Sequence, residues 1–238
     1  MVDLTPIRAI SLDLDDTLWP VWPTIERAER VLHNWLGLHA PAAATLGQDP
    51  EVLRRIRQQV QSDWSGQPHD LAGLRQEAIR RLLCQAGEPE HLAPAAYEVF
   101  HAERQRVDLF PDALPLLRFL QKHYPLIAIT NGTADVHRVG LGTYFAHAVN
   151  APTLGKAKPE PDIFHHAARL VGLTPSQVLH IGDDAHLDAW GARNAGMPCI
   201  WVNRAGKAWD LPGDAPPSVN GLDELRTWWA GRLKQPAV

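Results

Sequence analysis

IRAISLDLDDTLWP, Ile7 to Pro20, is an Ile- and Leu-rich run too short for a stable helix, and it ends in Asp13, Asp15 and Asp16. It predicts a strand whose C-terminal end carries a cluster of carboxylates. Outward from it, LIAIT (Leu126–Thr130), a weaker run from Ala146 to Asn150, VLHIG (Val178–Gly182) and CIWV (Cys199–Val202) repeat the strand pattern. Helices are expected after Asp112, after Asn131-Gly132, around Ile163–Val171 and near Leu187–Asn194. Strands alternating with helices build parallel βα units, so an α/β fold is expected.

Between the first two strands the periodicity is helical. Ile25, Ala28, Val31, Leu32, Trp35 and Leu36 share one face of a segment Thr24–Leu36 that Gly37 can close. Asp49-Pro50 then opens a helix carrying Val52, Leu53, Ile56 and Val60, another runs from Leu71 towards Gly87, and a fourth covers Ala95–Arg104 after Pro94. A crossover of that length far exceeds ordinary connections, so residues 20–108 are expected to be a helical subdomain inserted into a core of 1–19 and 109–238. The Pro/Gly-rich tract Leu211–Pro217 reads as a surface loop.

The 238 residues are 45% hydrophobic and 21% charged, an ordinary globular balance. Lys plus Arg number 23 against 27 Asp plus Glu, a net charge of -4, so the chain lacks the positive field of a general nucleic-acid or anionic-membrane binder. Cys84 and Cys199 are too few for a disulfide framework and read as small buried hydrophobes. No apolar stretch nears the ~20 residues of a membrane span, and no signal-peptide run opens the chain, so the cytoplasm is the expected address. The expected partner is a small soluble metabolite, handled by a monomer or homodimer.

In open α/β sheets ligands bind beyond the carboxyl ends of the strands. Three such ends carry polar clusters here: DLDDT, TNG and GDDAHLD. Convergence would assemble Asp13, Asp15, Asp16, Asp183, Asp184 and Asp188, more carboxylates than can stay ionised together without a cation, and Mg²⁺ suits an all-oxygen site. GKAKPEPDIF supplies Lys158, with Lys156 two residues earlier, to neutralise a phosphoryl oxygen or an aspartate. Thr130 and Asn131 add a hydroxyl, an amide and backbone N–H groups suited to phosphate oxygens.

LDLDDTL, ITNG, KAKPEPDIF and HIGDDAHLDAWGARNAG, in this order, resemble the four motifs of the haloacid dehalogenase superfamily of hydrolases, over nearly the whole chain. The resemblance implies a Rossmann-like core, with the helical insert as a mobile cap. It implies that Asp13 is a nucleophile forming an aspartyl-phosphate and that Asp15 is the general acid and base. Thr130 and Asn131 would bind the phosphoryl group, and Lys158 would stabilise it and orient Asp13. Mg²⁺ would be held by Asp13, the backbone carbonyl of Asp15, and Asp183. Asp184 and Asp188 reach the metal directly or through water, or Asp188 holds Lys158 instead. The dehalogenase branch lacks an acid at the Asp15 position, so its presence favours a phosphatase, with a phosphomutase as the alternative.

YPLIAITNG, GLGTYF and HIGDD are most similar to a bacterial branch that includes flavin mononucleotide and riboflavin-pathway phosphatases, which implies a planar, nucleotide-like substrate. Trp19 and Trp22 are then candidate stacking partners, against the alternative that they simply pack. His180, in an apolar strand, reads as a hydrogen-bonded core residue, and neither it nor His186 as a metal ligand. From another class, a receiver-type signalling module also gathers Asp, Thr and Lys around Mg²⁺. Its phosphorylated Asp lies on a middle strand, and it has no place for a long helical insert.

Overall fold

The computed structural model describes residues 2–65 and 69–233, and the chain divides into two compact units, 1–20 with 108–238, and Val21–Val107.

The first unit is a six-stranded, all-parallel sheet in the order β3-β2-β1-β4-β5-β6. The strands are β1 (Ala9–Leu12), β2 (Leu126–Thr130), β3 (His147–Asn150), β4 (Val178–Gly182), β5 (Cys199–Val202) and β6 (Ser218–Val219). β1, β2, β4 and β5 are buried on both faces, which is why they read as continuous apolar runs rather than alternating ones. From β1 the chain moves outward to β2 and β3, then returns to place β4 on the other side of β1, so the order reverses beside β1, where such sheets open a ligand crevice.

The helices of the second unit are α1 (Val21–His39), α2 (Pro41–Leu46), α3 (Pro50–Asp63), α4 (Leu71–Gln85) and α5 (Ala93–Arg104). Pro50 sits at the first turn of α3 and the Asp49 carboxylate caps it by accepting from the Glu51 N–H, as the Asp-Pro pair predicts. Ala28, Leu32 and Leu36 of α1, Ile56 and Val60 of α3, Ile79, Leu82 and Leu83 of α4 and Phe100 of α5 form one apolar core. Ion pairs tie it laterally: Glu29 accepts from Arg57 at 3.1 Å and Arg75 at 2.6 Å, while Arg27 meets Glu103 at 2.6 Å.

In the first unit α6 (Ala113–Leu120), the single-turn α7 (Ala151–Leu154), α8 (Pro161–Leu170), α9 (Gly191–Asn194) and α10 (Leu222–Leu233) accompany the sheet. On one face Ala9, Ile127, Ile129, Val178, Cys199 and Trp201 pack with Ile163, Phe164 and Ala167 of α8. Two expectations fail locally. After Asn131-Gly132 there is no helix: Asp135 caps a single turn through the His137 N–H at 2.7 Å, and Gly140 ends it at φ 82°. Cys84 is exposed, because the buried stripe of α4 ends at Leu83, whereas burial pushes the Cys199 thiol up to about 12. The helix expected near Leu187–Asn194 is present, entered through a π-helical turn, Ala185–Trp190, that runs into α9.

Candidate active site

Leu14 to Trp19 fold back on themselves beyond β1. The Leu18 N–H donates to the Leu14 carbonyl at 2.8 Å, Asp16 takes a left-handed φ of 58°, and its N–H donates to the Trp19 carbonyl at 2.7 Å. Aspartate tolerates that conformation better than most residues. The turn returns the Trp19 indole to Asp15, where Nε1 donates to Oδ1 at 2.8 Å. Trp19 is fully buried, so its ring offers no face for stacking and instead fixes the carboxylate of Asp15. Trp22 lies in the other unit at the start of α1, 69% exposed.

Asp13 is buried at the tip of β1 between two partners. The Lys158 ammonium donates to its Oδ1, and the Thr17 hydroxyl lies 3.3 Å from Oδ2. The same hydroxyl lies 3.1 Å from Asp183 Oδ1. One hydroxyl hydrogen cannot fully satisfy two ionised carboxylates, so the Asp13–Asp183 pair calls for a proton or a cation. Burial, then the Asp188 charge, pushes Asp183 up to about 7. Burial likewise raises Asp13 well above the usual carboxylate range despite Lys158.

Asp188 is the opposite case. Burial works against its charge, but Lys158 and a hydrogen bond from His180 outweigh it and hold it below the ordinary range. Its Oδ1 accepts from Lys158 Nζ at 2.6 Å and His180 Nε2 at 3.1 Å, and its Oδ2 from the Asp184 N–H at 3.0 Å. Lys158, fully buried, is itself held above its usual value: burial lowers it, and the Asp13 and Asp188 carboxylates more than compensate.

The π-helical turn explains how Asp188 arrives there. Asp184 caps it, its Oδ1 accepting the His186 and Leu187 N–H groups at 2.8 and 2.7 Å, and the wide turn carries Asp188 back beneath the Asp184 N–H. Asp184 is therefore engaged in capping, and Asp188 in holding Lys158. Gly182 leaves the room: a Cβ there would sit 2.3 Å from Asp188 Cγ. Gly182→Ala is expected to displace Asp188, lower the melting temperature and cut turnover by about 10-fold or more, read from a thermal melt and kcat.

Thr130, at the end of β2, is buried, and its hydroxyl accepts the Gly132 N–H at 2.9 Å, leaving the hydroxyl hydrogen for a ligand. The Asn131 side chain is used differently from the phosphate-binding role expected of it. Its Oδ1 accepts the Lys158 N–H at 2.8 Å and its Nδ2 donates to the Lys158 carbonyl at 2.9 Å, so it clamps the lysine's peptide. Lys156 points elsewhere, pairing with Glu160 at 3.1 Å.

Asp13, Asp183 and Asp188 offer carboxylate oxygens within 4.8 Å of one another, the one grouping among the described residues with metal-ligating spacing. With Asp188 committed to Lys158, His180 and a backbone N–H, Asp13 and Asp183 are the oxygens a hard cation would take. Thr17, Gly182 and the hydrogen bond of Trp19 to Asp15 were not singled out from sequence. Thr17 alone left a trace there, as the closing residue of DLDDT, four positions after Asp13.

A buried carboxylate at the end of the first strand, a lysine braced on it and a second acid two residues on stand together at the strand ends of a Rossmann-like parallel sheet. Residues 7–196 match the family model for haloacid dehalogenase-like hydrolases, and the chain belongs to that family. It is 34% identical to the 5-amino-6-(5-phospho-D-ribitylamino)uracil phosphatase YigB of Escherichia coli, over 82% of this chain and 83% of that one. It is 28% identical to a glyceraldehyde 3-phosphate phosphatase of Methanopyrus kandleri, over 86% and 87%. A solved structure titled 2-haloacid dehalogenase from Pseudomonas syringae superposes with a TM-score of 0.87 at 37% identity, covering 95% of this chain and 99% of that one.

Proposed function

We propose that the chain is a Mg²⁺-dependent phosphomonoesterase working through an aspartyl-phosphate on Asp13, with a small metabolite bearing a planar, nucleotide-like group, such as flavin mononucleotide or a ribitylaminouracil phosphate, as substrate. The observation that carries this over the dehalogenase reading is Asp15: an acid two residues from the nucleophile, its carboxylate fixed by the Trp19 indole. A halide leaving group needs no proton, whereas an alkoxide does.

In this reading an Asp13 carboxylate oxygen attacks phosphorus and the ester P–O bond breaks, the leaving oxygen taking a proton from Asp15. Asp15 then removes a proton from water, which attacks phosphorus, releases inorganic phosphate and restores Asp13. Lys158 and the Thr130 hydroxyl meet the charge on the transferring group's oxygens. Mg²⁺, held by Asp13, Asp183 and the Asp15 carbonyl, would supply charge neutralisation between nucleophile and ester. The helical unit serves as the cap, closing to exclude water. A phosphomutase would share the first half-reaction and differ in the acceptor.

Support for a planar substrate comes from the helical unit's own cavity of about 940 Å³, lined by Trp22, Ile25, Leu32, Leu53 and Ile56 among others. The test is phosphate release from flavin mononucleotide, the ribitylaminouracil phosphate, sugar phosphates and p-nitrophenyl phosphate, with Mg²⁺ or EDTA. Mg²⁺-dependent turnover is expected; halide release from 2-chloropropionate without phosphate release would overturn the reading. Trp22→Ala is expected to raise KM for flavin mononucleotide several-fold and leave p-nitrophenyl phosphate unaffected.

Metal binding carries its own pH signature. Asp183 titrates at about 7 when folded, above the ordinary aspartate value of 3.8, so the folded metal-free protein holds that proton more tightly than the unfolded chain. Its contribution to stability is present at acid pH and is lost as the pH rises from about 4 to about 7. A cation replaces the proton, so the gain in melting temperature on adding Mg²⁺ is expected to grow across that window. A gain that is absent, or equal at pH of about 5 and 7.5, would count against metal at this pair.

A further inference from the structure

Directly behind the site lie two buried polar groups to which the proposed reaction gives no part. His180 is in the middle of β4, and Ser11 is its direct partner in the β1–β4 register, two residues before Asp13. Both are fully buried, and Phe164 of α8 meets the imidazole edge-on at 5.1 Å between centroids. Burying an imidazole in an apolar strand costs free energy that an aliphatic residue would not, unless both ring nitrogens are satisfied. Here they are: Nδ1 lies 2.9 Å from Ser11 Oγ and Nε2 lies 3.1 Å from Asp188 Oδ1.

The partners decide the tautomer. Asp188, already accepting from Lys158, is an acceptor, so Nε2 carries the hydrogen. Nδ1 is then an acceptor, and the Ser11 hydroxyl donates to it. Burial, which lowers the histidine's basicity, keeps the ring neutral. A continuous chain results, from Ser11 through His180, Asp188 and Lys158 to Asp13.

We propose that Ser11 and His180 are positioning residues, a tautomer-locked imidazole that pins Asp188 where it braces the Lys158 ammonium against the reacting carboxylate of Asp13. This rests on the phosphatase reading for what Lys158 does and goes beyond it in what aims Lys158. Asp188 hangs from a wide π-helical turn, held on its other oxygen by one backbone N–H from that same turn. His180 is its anchor to the rigid central sheet. Without that hydrogen bond the carboxylate can swing about its χ angles and take the lysine off the nucleophile. An arrangement that loose costs turnover while leaving substrate binding nearly untouched.

The test uses the full-length protein and four variants, with kcat and KM for p-nitrophenyl phosphate in Mg²⁺, thermal melts, and ¹⁵N resonances of the histidine rings. His180→Phe keeps a ring against Phe164 and removes the donor; it is expected to lower kcat by about 10- to 100-fold, measured well below its melting temperature, with KM within about 2-fold. His180→Gln places an amide N–H near the position of Nε2 and is expected to recover most of that loss. Ser11→Ala is expected to keep the Nε2–H form, to shift the Nδ1 resonance to that of a nitrogen without a donor and to lower kcat, and Ser11→Thr to behave as wild type. A folded His180→Phe with unchanged kcat, or an Nδ1–H ring in the wild type, would overturn the proposal. If the wild type releases no phosphate from any ester, the phosphatase reading falls alone, and the ring resonances decide this one. A wild-type Nε2–H ring whose Nδ1 resonance alone shifts in Ser11→Ala then supports it, and an unchanged spectrum defeats it.

Discussion

Asp13→Asn is expected to abolish phosphate release, by about 10⁴-fold or more, while leaving the metal-free protein at least as stable as the wild type. The activity loss follows from chemistry: an amide oxygen cannot displace an alkoxide from phosphorus and form the acyl-phosphate. The stability gain follows from charge. Asp13 and Asp188 share one buried ammonium with Asp183 close by, and Asp13 and Asp183 already sit above the usual carboxylate range. Removing one carboxylate relieves that repulsion, and Lys158 retains Asp188 as its counterion at 2.6 Å. The same variant should lose most of the Mg²⁺-dependent rise in melting temperature, because half of the oxygen pair is gone. A variant that still turned over, or that unfolded, would show that Asp13 is a structural acid.

Lys158→Met is expected to be the mirror image, losing both activity and about 3–5 kcal/mol of stability, because it strands Asp13 and Asp188 in the interior without a cation. Urea unfolding against pH gives the diagnostic sign. In the wild type Asp188 is held below its unfolded value, so its contribution is present above that value and is lost only as the pH falls through the lower, folded one. With the ammonium gone its folded value rises above the unfolded one, and stability then falls as the pH climbs through about 4. The deficit of Lys158→Met relative to wild type should therefore be largest at neutral pH and shrink in acid. Adding Asp188→Asn to Lys158→Met should restore part of the loss, which a purely steric defect would not allow.

The contrast between these variants also marks what could be read from the chain. LIAIT, VLHIG and CIWV declare themselves because a strand buried on both faces has nothing but apolar residues to show, and their boundaries coincide with β2, β4 and β5. Asp13, Lys158, Asp183 and Asp188 were legible as a converging set because parallel topology puts strand ends at one edge. The division of labour among them was not. Whether Asp188 serves a cation or Lys158 depends on a π-helical turn, and no local pattern marks that turn as wider than an ordinary helical one. Packing and stacking both stayed open for Trp19, because its partner, Asp15, is reached only once Asp16 adopts a left-handed φ. Asn131 looked like a phosphate ligand for the same reason: its partner lies 27 positions away, across a loop. The missing helix after Gly132 turned on Asp135 and Gly140, a cap and a stop too close together for more than one turn.

The placement of β1 at the centre of the sheet has a consequence for how the protein comes into being. Asp13 leaves the ribosome well before its partners: its cation lies 145 positions later, and the Thr17 hydroxyl beside it bridges to an acid 166 positions later. The helical unit is contiguous in sequence and can collapse on its own contacts during synthesis, whereas β1 must wait for β2 and β4 before it has neighbours. A nascent chain therefore carries Asp13 early and the partners that set its charge late. Hydrolytic competence should appear abruptly once the segment through Asp188 has emerged, at the pace set by long-range strand pairing rather than by helix formation.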